Sequence, residues 1–220
     1  MSKKIDELGI NDLKIVQDSD YFCFGTDSVL LANFAKSNSK NKNVLDLCSG
    51  VGVIPIIFSA KNSYSKIMAV ELQKEMYELL EENVKINNLE NSLNILNEDL
   101  RCVDKIREYI FKITKRNCVD IITVNPPYKP KGTGIVNEGR VKFIARHEDM
   151  CTLEDIFKVS SKLLENKGKL YIVHKPDRLC DLIAIARIYN LEAKKIRFVQ
   201  PNINCSPSIV LIEYSKGRRK

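Results

Sequence analysis

Two periods of apolar residues alternate along most of this chain. From residue 44 onward, short continuous apolar runs are followed by segments in which apolar side chains recur every three or four positions. Short apolar runs bounded by turn residues read as buried strands, and recurrence near 3.6 residues reads as helix with one buried face. The pattern predicts strands over Val44–Cys48, Lys66–Glu71, Leu93–Leu96, Cys118–Val124, Lys169–His174, Ala193–Val199 and Ser208–Tyr214. It predicts helices over Val53–Lys61, Lys74–Asn88, Val103–Lys115, Thr152–Glu165 and Asp177–Tyr189. Thr152 followed by Asp155 is an acid-bearing variant of the capping box, and Gly168 is the expected stop of that helix.

Strand–helix alternation with continuous apolar strands calls for an α/β fold whose mostly parallel sheet carries helices on both faces. The last two strands have no helix between them, so a terminal hairpin with an antiparallel strand is expected. The polar run Ser37–Asn43 separates a segment of residues 1–40 from the α/β run of residues 41–220, within a single domain overall. The 220 residues and 44% hydrophobic content suit one domain of this size. No apolar run approaches the roughly 20 residues that span a bilayer. Lys3 and Lys4 are followed by no apolar signal core, so a cytoplasmic protein with no membrane partner is expected. The seven cysteines form no C-x-x-C pair and neither histidine, His147 or His174, sits in a metal-binding pattern, so no metal is expected. A net charge of +7 leans weakly toward a polyanionic partner. A monomer is the default expectation.

The chemistry-bearing residues fall where predicted strands end. Asp46-Leu47-Cys48-Ser49-Gly50-Val51-Gly52 links the first of these strands to its helix. Gly50 and Gly52 permit a tight turn and close backbone approach to a ligand. Pro55 stands where the third glycine of a dinucleotide fingerprint belongs, so that fingerprint is incomplete. Asp46, Ser49, Gly50 and Gly52 are candidate cofactor contacts. Glu71 ends the next strand, nineteen residues after Gly52, where a carboxylate can accept two ribose hydroxyls. Asp99 follows the third and can hold an adenine amino group. Asn125-Pro126-Pro127-Tyr128 follows the fourth. Two prolines stop the strand and leave a stiff platform of free carbonyls. An exocyclic or amide nitrogen has a delocalised lone pair. The Asn125 side-chain oxygen and the Pro126 carbonyl can accept its N–H groups and turn that lone pair toward an electrophile. Tyr128 can stack on a planar substrate. Asn125, Pro126, Pro127 and Tyr128 are therefore the candidate catalytic set, with Asn125 also close enough to touch the cofactor.

This combination resembles the class I methyltransferases that modify exocyclic or amide nitrogen and carry [N/D]-P-P-[Y/F]. Within them it is most similar to the bacterial valine-tRNA adenine-N6 methyltransferase family. The resemblance rests on Phe24-Gly25-Thr26-Asp27-Ser28-Val29-Leu30-Leu31, on Asp46 to Pro55, and on Ile144 to Glu148 followed by Cys151 to Asp155. It implies S-adenosyl-L-methionine as cofactor, with Phe24 and Thr26 closing over it, and a seven-stranded Rossmann-like sheet with a reversed last strand. It also implies tRNA as partner and adenosine 37 beside the anticodon as target. The segment Asn202–Ser208 departs from the family pattern, which expects a smaller, more basic stretch there.

Lys129, Lys131, Arg140 and Arg146 in the long stretch after the catalytic motif, and Arg218 and Arg219 in the basic tail, are the candidate RNA contacts. The nearest rival activity is methylation of a release-factor glutamine, since the same motif serves amide nitrogen. Only about forty residues precede the first of these strands, little room for the extra helical domain of that family. A nicotinamide-dependent oxidoreductase on the same fold is disfavoured by Asn125-Pro126-Pro127-Tyr128 and the missing third glycine.

Overall fold

A computed structural model describes residues 3–18, 24–35, 41–60, 64–127 and 151–217. The predicted sheet is present. Strands β3 (Lys42–Leu47), β4 (Tyr64–Glu71), β5 (Leu93–Asn97), β6 (Val119–Val124), β7 (Leu164–His174), β8 (Leu191–Val199) and β9 (Ile209–Lys216) form one seven-stranded sheet in the order β5-β4-β3-β6-β7-β9-β8. Neighbours from β5 to β7 run parallel, and β9 is antiparallel to both β7 and β8. The reversed last strand thus slots in one place from the edge. The order reverses direction at β3, the topological switch point where ligands of such sheets bind.

Side chains of each strand alternate between two cores. Val44, Ile67, Ala69, Ile121, Tyr171 and Leu211 face helices α1 (Thr26–Phe34), α2 (Val53–Ala60) and α3 (Lys74–Ile86). Leu45, Leu47, Met68, Ile122, Val124, Leu170 and Ile212 face α4 (Val103–Thr114), α5 (Leu153–Leu163) and α6 (Leu179–Ile188). Phe157 and Tyr214 meet edge-on at 5.4 Å in the second core. No helix among the described residues is long and apolar enough to cross a membrane.

The capping box of α5 is closed in both directions: Asp155 N donates to Thr152 Oγ1 (3.1 Å) and Thr152 N donates to an Asp155 carboxyl oxygen (3.1 Å). Gly168 is not the helix stop that the sequence suggests. The helix ends at Leu163 and β7 begins at once, with Gly168 inside it beside a register shift of β6. A Cβ there would lie 2.8 Å from the Glu165 carbonyl and 3.2 Å from that of Asp120, so the glycine answers a close backbone approach.

Residues before the polar run contribute to the same core. Strands β1 (Lys3–Glu7) and β2 (Lys14–Asp18) form an antiparallel hairpin that the hydrophobic pattern did not predict. It is fastened to α3 by side-chain amides. Val16 N donates to Asn83 Oδ1 (2.6 Å), and Asn83 Nδ2 donates to the carbonyls of Val16 (2.9 Å) and Val51 (3.0 Å). Asn87 makes the same two-way contact with Lys14, accepting from its N–H at 2.9 Å and donating to its carbonyl at 2.7 Å. These amides act as a surrogate strand for β2 and satisfy backbone groups that would otherwise be buried unpaired.

Candidate active site

The site lies at the carboxyl ends of β3, β4 and β6, on the face of α1 to α3. Parallel pairing puts Asp46 beside Thr123 and Leu47 beside Val124. The turn after β3 and Asn125 after β6 therefore start about 4.8 Å apart, one strand spacing. Asp46 is fully buried, and Thr123 Oγ1 donates to its Oδ1 at 2.5 Å. Its Oδ2 is buried and no donor reaches it among the described residues. Burial raises its pKa to about 7, a shift that the Thr123 hydroxyl partly offsets. A buried carboxylate with one unmet oxygen is costly in isolation and favourable beside a cationic ligand.

The turn itself is held tightly. Ser49 Oγ donates to the Asp46 carbonyl (3.0 Å), and Gly52 N to the Ser49 carbonyl (2.9 Å). Cys48 has φ +56° and Gly50 φ +54°. At Gly52 (φ +90°) a Cβ would fall 2.2 Å from Leu80 Cδ1, so the missing side chain admits α3 against the turn. Glu71 is buried, and its carboxylate accepts from the amides of Gly50 (2.8 Å) and Gln73 (2.9 Å). Burial raises its pKa and those two amides oppose the rise. Four lone-pair sites on a carboxylate leave room for hydroxyl donors beyond these two. Asp99 is gripped by Arg101, whose Nε reaches Oδ1 at 3.0 Å and whose terminal nitrogen reaches Oδ2 at 2.5 Å. That guanidinium holds the Asp99 carboxyl below its ordinary pKa.

Phe24 and Thr26 stand at the head of α1. Phe24 packs against the core, and its N–H donates to Gln17 Oε1 (3.1 Å), which ties the segment to the β1–β2 hairpin. Thr26 is exposed at the first position of α1, after Gly25 as N-cap. Two residues later, the buried Ser28 accepts a hydrogen bond from Asn125 Nδ2 at 2.9 Å. Asn125, Pro126 and Pro127 follow β6 without a break. Tyr128, Lys129, Lys131, Arg140, Arg146, His147, Arg218 and Arg219 lie outside the described residues. The structure thus gathers Asp46, Ser49, Gly50, Gly52, Glu71 and Asn125 around one end of the sheet. Asp99 follows β5, one strand beyond Glu71.

Three buried residues of this region carry no sequence expectation of their own. Thr123 and Ser28 become partners of Asp46 and Asn125 only through the fold. Asn83 left a signal: it falls on the apolar stripe of α3 between Leu80 and Val84, where a carboxamide needs a buried partner.

Comparison with known proteins points the same way as the motifs. The TRM5/TYW2 methyltransferase domain matches residues 26–129, from the start of α1 to just past Asn125-Pro126-Pro127. Curated tRNA1(Val) (adenine(37)-N6)-methyltransferases match most of the chain. That of Histophilus somni is 28% identical over 174 residues, 79% of this chain and 69% of the relative. That of Trichodesmium erythraeum is 27% identical over 206 residues, 93% of this chain and 82% of the relative. This chain has the class I methyltransferase fold. Among solved structures, the TYW2 of P. horikoshii in complex with MeSAdo superimposes with a TM-score of 0.63 at 15% identity, over 99% of this chain and 73% of that one. The sheet has the seven mostly parallel strands and the reversed last strand that the resemblance implies, and that resemblance holds across most of the chain.

Proposed function

We propose that this methyltransferase places a methyl group on the exocyclic N6 of an adenosine in tRNA, with adenosine 37 beside the anticodon of a valine tRNA as its target. The observation that carries the reading is the position of Asn125 and Pro126 at the end of β6, one strand from the glycine turn. The residues fit S-adenosyl-L-methionine as cofactor. Asp46 Oδ2, buried without a donor among the described residues, suits a cationic ligand. The Glu71 carboxylate, braced by Gly50 and Gln73, is set to accept ribose hydroxyls, and Asp99 to accept from an adenine amino group. Phe24 and Thr26 would cover the bound cofactor. When bound, that cofactor supplies an electrophilic methyl carbon on a sulfonium.

Asn125 Oδ1 and the Pro126 carbonyl accept the two N–H groups of the target amine and hold its lone pair toward that carbon. They favour the positive charge that grows on nitrogen as the new bond forms. The two prolines contribute rigidity, and Tyr128 a stacking surface for the base. An anticodon-loop adenine is splayed at little cost, and Lys129, Lys131, Arg140, Arg146, Arg218 and Arg219 would meet the RNA phosphates. The work would be done in the cytoplasm, where tRNA is used.

The test is tritium transfer from labelled S-adenosylmethionine to total tRNA from a strain lacking this protein, followed by digestion to nucleosides. Label in N6-methyladenosine, reduced about 10²- to 10³-fold or more by Asn125→Ala, is the expected result. No label in RNA, with label in a release factor under the same conditions, would replace adenine with glutamine as the acceptor.

A further inference from the structure

A side chain can cover a bound cofactor only if it stands at a set distance from the turn beneath, and two neighbouring residues of β2 fix that distance. Val16 donates its N–H to Asn83 Oδ1 at 2.6 Å, and Nδ2 of the same asparagine donates to the Val51 carbonyl, inside the glycine turn, at 3.0 Å. Gln17, the next residue, accepts the Phe24 N–H on its Oε1 at 3.1 Å. Ser28, four residues after Phe24, has its Oγ 2.9 Å from Asn125 Nδ2, so Phe24 stands at the end of α1 that meets the cleft. Through Val16 and Gln17, β2 thus holds the turn with one hand and the head of α1 with the other.

The Gln17 amide fits in one orientation. A backbone N–H only donates, so the amide oxygen must face Phe24. The nitrogen end donates to Asp6 Oδ2, while Lys4 Nζ bridges Asp6 Oδ1 at 2.5 Å. Lys4 foremost, and Gln17 after it, hold the Asp6 carboxyl below its ordinary pKa, so near pH 7 it only accepts. Lys4, Asp6 and Gln17 share one face of the hairpin, with Gln17 directly opposite Lys4. Gln17 is 7% exposed, which shields its bonds from competing water.

We propose that Gln17 is a positioning residue for cofactor capture: it holds the Phe24 backbone, and with it the Phe24 side chain, in place over the glycine turn. The inference rests on the reading of Phe24 as a cover for S-adenosylmethionine. A cover in place for only part of the time lowers the apparent affinity in proportion. Gln17→Met keeps the length of the side chain and loses both bonds. It should raise the Kd for S-adenosylhomocysteine about 3- to 10-fold, the range of one hydrogen bond. Phe24→Ala should raise it about 10-fold or more.

Calorimetry on the full chain, with the two changes made singly and together, separates positioning from mere support of the hairpin. In the Phe24→Ala background, Gln17→Met should change Kd by less than about twofold, because Gln17 acts through Phe24. An equal loss in both backgrounds would overturn the proposal, since a loosened hairpin would act in both. So would an unchanged Kd in Gln17→Met beside a weakened Phe24→Ala. Gln17→Glu sets a carboxylate against Asp6 and should weaken binding at pH 8 about 3- to 10-fold. Adding Asp6→Asn returns one donor and one charge to the pair, and should restore the affinity. Should Gln17→Met not fold, that exchange decides: Kd restored supports the proposal, and Kd left at the Gln17→Glu level overturns it. Wild-type affinity in Phe24→Ala would remove the cover reading, and no binding by the unaltered chain would remove the cofactor reading; the proposal falls with either.

Discussion

The two faces of the sheet are built on different terms. The face covered by α4, α5 and α6 is hydrocarbon on hydrocarbon, from Leu45 and Leu47 through Ile122 and Val124 to Ile212. Two of its buried hydroxyls, those of Tyr109 and Ser160, have no partner among the described residues, and a third, that of Tyr214, donates to the Leu182 carbonyl at 3.2 Å. The face covered by α1, α2 and α3 has a comparable apolar core, yet it also buries Ser28, Asp46, Glu71, Asn83 and Thr123. All but Asp46 Oδ2 are tied into hydrogen bonds that end on the glycine turn, the hairpin or Asn125. One face holds the sheet together. The other gives up stability to hold polar groups where a ligand can use them.

That contrast can be broken from either side. The largest effect belongs to the apolar face: Phe157→Ala should cost about 3–5 kcal/mol in urea unfolding, through a cavity beside Tyr214. Affinity for S-adenosylhomocysteine, measured well below the midpoint, should not move. A changed affinity would mean that the faces are coupled. Next comes Gly52→Ala, which forces a side chain onto φ +90° and into Leu80; a loss of about 2–4 kcal/mol is expected. Pairing it with Leu80→Ala should cost less than the two changes summed, and strict additivity would show that the clash is absent.

The smallest effect has the opposite sign. Asp46 has its folded pKa raised by burial to about 7, from an ordinary value of 3.8. Between those values the folded state keeps a proton that the unfolded state releases, so stability falls as pH rises through the window and stays lowered above it. Asp46→Asn should erase this slope, with no gain near pH 4 and about 1–3 kcal/mol gained at pH 8. It should weaken cofactor binding at the same time. Unfolding curves at pH 5 and pH 8 check the slope, and calorimetry with S-adenosylhomocysteine checks the affinity. A variant both more stable and fully able to bind would separate the buried charge from ligand capture.

Much of this was legible in the sequence, and the rest was not, for one reason. Strands from Lys42 onward lie within about two residues of their predicted limits because each carries its own apolar run, except that β7 begins five residues early, at Leu164. The three acids and Asn125 were legible because parallel sheets put strand ends on one edge whatever the strand order. The hairpin was not, because Lys3–Glu7 is mostly exposed and its partner β2 is held by amides from α3. Gly168 was misjudged as a helix stop because its neighbours, Asp120 among them, come from another strand. Likewise Ser28 and Asn125 stand 97 residues apart, and Asp46 and Thr123 stand 77 apart. No local pattern announces such pairs; only the strand order creates them.

The Asn83 fork has a consequence in time as well as in space. It joins Val16, 67 residues before it, to Val51, 32 residues before it. Residues 3–18 leave the ribosome long before residue 83, and the fork that seats them does not exist until α3 has formed against the turn. The two hairpin strands therefore emerge early and can be seated only late, with a long loop to close before their contacts count. A chain stalled before residue 83 lacks the amides that cover the edge of β2.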